Sequence, residues 1–220
     1  MKKKKKKRRS MAPLIIIMSL ILITVIGGGA FFYLNAYKLM LPGEWTREID
    51  ITDYAKEAAA SYLSEAAFGD EISIEEYISD LKVTSMLQVT KEGEIVESLD
   101  RESYDQALKA CQAGLEKAVS DLIERRIKES YIETDMSVDA LINETFGMSL
   151  EGYLNEYGPK LIPDFEELEE RYGSSAYYEA SRDSIIIRNS ETTDAEYNYA
   201  VSHGMLVIDY SDGAVVYYER

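Results

Sequence analysis

The stretch SSAYYEASRDSIIIRNSETTDAEYNYAVSHGMLVIDYSDGAVVYYER, residues 174–220, decides how the chain folds. Apolar and polar residues alternate there in five short runs, 176–180, 184–189, 195–201, 205–210 and 214–219. A period of two is the mark of a strand with one face buried. Between the runs stand Ser181-Arg182-Asp183, residues 190–194, His203-Gly204 and Ser211-Asp212-Gly213. Turn residues at these spacings, Asp-Gly above all, predict tight hairpins, so the segment reads as an antiparallel meander.

Working upstream, residues 94–100 and 81–90 flank Lys91-Glu92-Gly93, a glycine-containing connection between two β-rich runs that predicts a further hairpin. Residues 43–50 open with Gly43-Glu44-Trp45, and Trp45, Arg47 and Ile49 alternate with Glu44, Thr46 and Glu48 as in a first strand. The sum is eight strands, the number at which an up-and-down sheet closes into a barrel and either fills its interior or holds one small ligand. Closure also removes the free edges a long meander would expose.

Helical periodicity occupies the gaps. Thr52 or Asp53 caps an alanine-rich helix running to about residue 68. From 101 to 129 the period becomes 3.6, with Tyr104, Leu108, Cys111, Leu115, Val119, Leu122 and Ile123 on one stripe. Shorter helices follow over 137–146, 149–157 and 163–172, each stopped by glycine. The expected fold is therefore α+β: an eight-stranded antiparallel up-and-down barrel over residues 43–220, with a large helical insertion, about 101–173, between strands 3 and 4.

The N-terminus has a different character. Eight basic residues fill positions 2–9, from Lys2 to Arg9, and positions 11–34 carry no charge. About 20 apolar residues span the roughly 30 Å hydrocarbon core of a bilayer, so residues 11–34 read as a transmembrane signal-anchor helix. The basic cluster, residues 1–10, stays on the cytoplasmic side against anionic inner-leaflet lipid, residues 35–42 form a tether, and the rest is extracytoplasmic. A cleaved signal peptide ending near Gly28-Gly29-Ala30 is the alternative, and it exports the same domain. The formal charge of −16 understates the acidity of that domain, because most of the clustered base lies ahead of it. Such a domain repels phosphate backbones, which argues against nucleic acid as a partner.

Chemistry-bearing residues are scarce. A single cysteine, Cys111, and a single histidine, His203, supply no intrachain disulfide, no multi-cysteine or two-histidine metal site and no nucleophile–base pair. The run 209–213 has a calcium-loop flavour but misplaces the glycine and lacks the closing glutamate, so a hairpin turn accounts for it better. No cofactor or metal is expected, and no enzymatic activity.

Gly43-Glu44-Trp45 resembles the Gly-X-Trp signature that opens the first strand of lipocalins and related calycin barrels, and Arg220 resembles the basic residue that closes them. The order of elements is similar to that of membrane-anchored, lipocalin-like exported proteins of clostridial-type Gram-positive bacteria, which have no assigned activity. The resemblance covers residues 43–50, 82–100 and 175–220; the helical insert departs from the lipocalin pattern. It implies that Gly43, Trp45 and Arg220 form a structural plug, with the guanidinium stacked over the indole, a contact worth about 0.5 to 2 kcal/mol.

Tyrosine is the remaining unusual feature, 17 residues of 220. Tyr177, Tyr197, Tyr199 and Tyr217 are candidate pocket-lining residues whose hydroxyls would orient a small ligand; ordinary strand packing is the competing account. Val215 and Tyr217 alternate with Val216 and Tyr218, so both faces of the last strand are apolar, and helices are expected to cover part of the barrel exterior. Three functions compete: a binding or envelope-sensing module for a small apolar or amphipathic ligand, a protein-interaction or chaperone-like device using the amphipathic insert, and an exported hydrolase for which no residues are evident.

Overall fold

A computed structural model describes residues 22, 24–30, 36, 40–65, 73–129, 138–188 and 194–219. Eight strands close into a barrel in sequence order, every neighbouring pair antiparallel. They are β1 (Gly43–Asp50), β2 (Lys82–Val89), β3 (Glu94–Leu99), β4 (Ser174–Ala180), β5 (Ser184–Arg188), β6 (Ala195–Ser202), β7 (Met205–Tyr210) and β8 (Gly213–Glu219). The up-and-down barrel expected from the alternation is the barrel observed.

Helix α1 (Thr52–Glu65) connects β1 to β2. Its entry is fixed by Asp50, whose carboxylate accepts the Thr52 backbone N–H at 2.9 Å. Helices α2 (Arg101–Glu129), α3 (Val138–Phe146), α4 (Leu150–Tyr157) and α5 (Phe165–Tyr172) lie between β3 and β4, where the insertion was expected. Asp100 caps α2 by accepting from Ser103 N at 3.2 Å, and the Ser103 hydroxyl accepts from Thr84 N of β2 at 2.9 Å. Glu169 of α5 accepts from Leu99 N of β3 at 2.7 Å. The insert is thus stapled to the β2 and β3 end of the barrel by its own polar side chains.

The apolar stripe of α2 is consumed in that packing. Tyr104, Cys111, Leu115, Val119, Leu122 and Ile123 are all buried, in a core that also takes Leu63 of α1, Ile142 of α3 and Leu168 of α5. Gly114 lets α2 approach the turn at Ile74–Glu76 closely: an added Cβ would sit 2.5 Å from the Tyr77 carbonyl oxygen.

A second core fills the barrel itself, built from Leu41, Trp45, Leu87, Val89, Ile95, Ile185, Tyr199, Leu206, Ile208 and Tyr217. Helices pack on the barrel at β2, through α2, and at β3, through α5, while the outer face of β8 stays open: Val216 is 37% and Tyr218 56% exposed.

The predicted spanning helix falls largely outside the described residues. Leu22 and residues 24–30 are helical, with Leu22, Val25 and Ile26 exposed. No helix among the described residues is long and apolar enough to cross a membrane.

Candidate functional site

The inward faces of β1, β2 and β3 are layered. Trp45, Leu87, Val89 and Ile95 belong to the barrel core, whereas Ile49, Val83 and Leu99 belong to the helix-side core. Between the layers each strand contributes one inward polar residue: Arg47, Ser85 and Glu97. Alternation forces this, since each stands two residues from an apolar neighbour on the same face.

Glu97 is the hub. Its Oε1 accepts from Arg47 Nε at 2.9 Å and from Ser85 Oγ at 2.5 Å, and both carboxylate oxygens stand 3.4 Å from the Tyr217 hydroxyl, which donates. The Arg47 guanidinium lies over the rings of Tyr217, at 5.4 Å, and Tyr172, at 5.9 Å. Burial works against the Arg47 charge, but the Glu97 carboxylate, together with Tyr217 and Tyr210 beside it, holds the guanidinium above its ordinary pKa. Burial likewise raises both the Tyr217 and Tyr210 hydroxyls, Tyr217 well above the usual tyrosine range, with the Glu97 charge adding to the effect at both. The phenols stay protonated, and Tyr217 stays a donor.

Beside this cluster the ladder that closes the barrel is short. β1 and β8 pair only at Trp45↔Glu219 and Thr46↔Tyr218. Past those two pairs the strands part, leaving a cleft of about 720 Å³ lined by Thr46, Arg47, Glu48, Thr84, Ala214, Val215, Val216 and Tyr218. One wall is apolar, from β8; the other is hydroxyl-bearing and charged, from β1 and β2. Arg47 uses Nε on Glu97, and its Nη groups have no protein acceptor among the described residues. The volume lies within the ~300 to 1,000 Å³ usual for ligand pockets.

The residues singled out from sequence distribute as follows. Trp45 is buried, and its indole Nε1–H donates to the Leu41 carbonyl at 3.0 Å; a Cβ on Gly43 would rest 3.6 Å from that nitrogen. Arg220 lies outside the described residues, so its expected stacking on Trp45 does too. Tyr197, Tyr199 and Tyr217 face the interior as expected. Tyr177 does not: it is 64% exposed on the outer surface, sharing that face with Glu179. The inner tyrosines also fill space instead of lining it. Tyr199 donates to the Ser181 carbonyl and Tyr178 to the Thr90 carbonyl, both at 2.7 Å, and Tyr197 packs on Tyr210 with ring centres 4.9 Å apart. Their hydroxyls and rings staple hairpins together.

Cys111 is buried on the α2 stripe, and burial pushes its thiol up to about 11. His203 occupies the β6–β7 turn with positive φ, its Nδ1 paired with Ser202 Oγ at 2.6 Å. Residues 209–213 form the β7–β8 hairpin, closed at Tyr210↔Gly213. No group of three His, Cys, Asp or Glu side chains among the described residues is arranged to hold a metal ion.

Sequence reasoning missed the Arg47–Glu97 pair, although a signal existed. Each is a lone charge flanked two residues away by apolar residues, Trp45 and Ile49 in one case, Ile95 and Leu99 in the other, and the two charges are opposite. Comparison of the chain with protein-family models, with curated proteins and with solved structures finds no match.

Proposed function

We propose that this chain is a non-enzymatic, membrane-anchored extracytoplasmic binding module of lipocalin-like architecture, which takes an amphipathic ligand at the parted β1–β8 seam. The single observation carrying the reading is the cleft of about 720 Å³ with one apolar wall, Ala214, Val215 and Val216, and with Arg47 among the residues that line the other. An amphipathic occupant satisfies both walls at once: apolar surface against β8 contributes about 25 cal/mol per Å² buried, and a polar head accepts from the free Nη donors. The apolar side chains packed inside the barrel favour the seam over the calyx, where a lipocalin resemblance would put the ligand. The uncharged run 11–34 behind the polybasic residues 2–9 supports the anchor and the extracytoplasmic placement.

The test uses the full chain purified in detergent from its producing cell and examined by native mass spectrometry. The expected result is a co-purifying amphipathic species that is lost from Ala214→Trp, which fills the cleft from an exposed position. A wild-type chain carrying nothing, or an Ala214→Trp chain carrying the same species, overturns the proposal.

A further inference from the structure

The two strand edges that fail to meet say more about the occupant than the cleft volume does. In an antiparallel ladder, alternate residues exchange both backbone bonds with one neighbour, and the residues between them turn N–H and C=O to the other side. Ile51 N donates to Leu81 O at 3.0 Å, which fixes the β1 parity: Trp45, Arg47 and Ile49 bond to β2, and Thr46, Glu48 and Asp50 turn toward β8. Glu219 N donates to Gly204 O at 2.8 Å, which fixes the β8 parity: Val215 and Tyr217 bond to β7, and Ala214, Val216 and Tyr218 turn toward β1. Thr46 and Tyr218 are the one such pair that is joined. Continuing that register would set Glu48 opposite Val216 and Asp50 opposite Ala214, yet neither pair forms. Glu48, Val216 and Ala214 therefore turn this side of their backbone toward the cleft, beyond the last β1–β8 pair.

Rows of main-chain donors and acceptors at strand spacing are matched by another extended main chain; a fatty or sterol-like molecule has nothing to place against them. Resting on the cleft reading above, we infer that the ligand is an extended peptide segment that enters the seam as an added strand, bonding Glu48 on one edge and Val216 on the other. The open stretch of β1, residues 47–50, is about 13 Å long at roughly 3.3 Å per residue, so about four peptide residues seat in it. Side chains of an added strand alternate. Those turned inward meet the Arg47 Nη donors, which calls for Ser, Thr, Asn or Asp. Those turned outward lie beside Val216 and Tyr218, which calls for β-branched or aromatic residues.

Amide hydrogen exchange on the full chain in detergent micelles tests this. The probe is a pool of synthetic peptides alternating Val, Ile or Tyr with Ser, Thr or Asp, beside the same pool N-methylated at alternate amides, with lysophosphatidylcholine as a non-peptide amphiphile. The expected result is slowing of the Glu48, Ala214 and Val216 amides by about tenfold or more with the unmodified pool, none with the methylated pool, and no change at Arg47 and Val215, which are already bonded. No slowing, or equal slowing by both pools, overturns the inference. Lysophosphatidylcholine bound to wild type but not to Ala214→Trp, with the peptides inert, refutes the peptide while leaving the cleft reading standing; inertness of every probe refutes both.

Discussion

Replacing Glu97 by Gln removes one charge and almost no volume from the barrel. Gln keeps an acceptor for Ser85 and Tyr217, so the variant isolates the loss of the counter-charge to Arg47. Glu97 is 8% and Arg47 21% exposed at the side chain. Deleting one partner of a buried ion pair costs about 3 to 5 kcal/mol. Partial solvation of Arg47 screens the charge left behind and lowers the cost to about 2 to 3 kcal/mol. For a chain of this size each kcal/mol moves the melting temperature by about 2 to 4 °C, so Glu97→Gln melts roughly 5 to 10 °C below wild type. Thermal unfolding of the full chain at neutral pH, followed by circular dichroism, reads the shift. Removing the other charge as well, Arg47→Met with Glu97→Gln, recovers part of that loss, because no charge then remains unpaired and the amide oxygen still accepts from Ser85 and Tyr217. A Glu97→Gln chain that melts within about 1 °C of wild type, or a double variant as unstable as the single, refutes the account of the cluster as a compensated buried pair.

Trp45→Ala empties the barrel core beside Leu41 and removes a buried hydrogen bond, and it is expected to cost about 3 to 5 kcal/mol, read by urea denaturation. Gly114→Ala gains about 1 kcal/mol in an ordinary helix interior; here the Tyr77 carbonyl at 2.5 Å reverses the sign, and a raised melting temperature would contradict the close approach of α2. Cys111 has a folded pKa of about 11 against an ordinary 9.0, so its burial contributes stability in full below pH 9, lost as pH rises through about 11. Cys111→Ala is therefore less stable than wild type at pH 8 and loses that deficit by pH 11, as melts at the two pH values would show.

The strands were legible because alternation is a local property: a run such as Ala195–Ser202 carries its own period, and Tyr197 and Tyr199 sit between Glu196 and Asn198, which marks them as inward. The same rule, applied to Tyr177, places it outward through its neighbour on the same face, Glu179. Its exposure follows from that parity, which residue type alone does not carry. What local pattern does not carry is register between distant strands. Arg47 marks itself as a charge on an apolar face but does not say which strand holds its partner, 50 positions away, and nothing in β1 or β8 alone reveals that their ladder stops after two pairs. The apolar outer face of β8 was visible, but its neighbour was not: Val216 and Tyr218 border a cleft instead of a helix.

The seam also sets the order in which the molecule comes together. Thr46 and Tyr218, which close the barrel, stand 172 positions apart, and the Tyr178–Thr90 contact that carries the chain back from the insert spans 88. Loops of that length are slow to close, and folding slows as contacting residues grow more distant in sequence. The hairpins from β4 to β8 need only their own turns and form early, whereas the β1–β8 ladder has to wait for both halves. The shortest ladder of the barrel is thus expected to zip last and open first, and opening it would leave a curled ribbon ending in β1 and β8. A strand captured in the gap would act as a kinetic latch, slowing unfolding without touching the core.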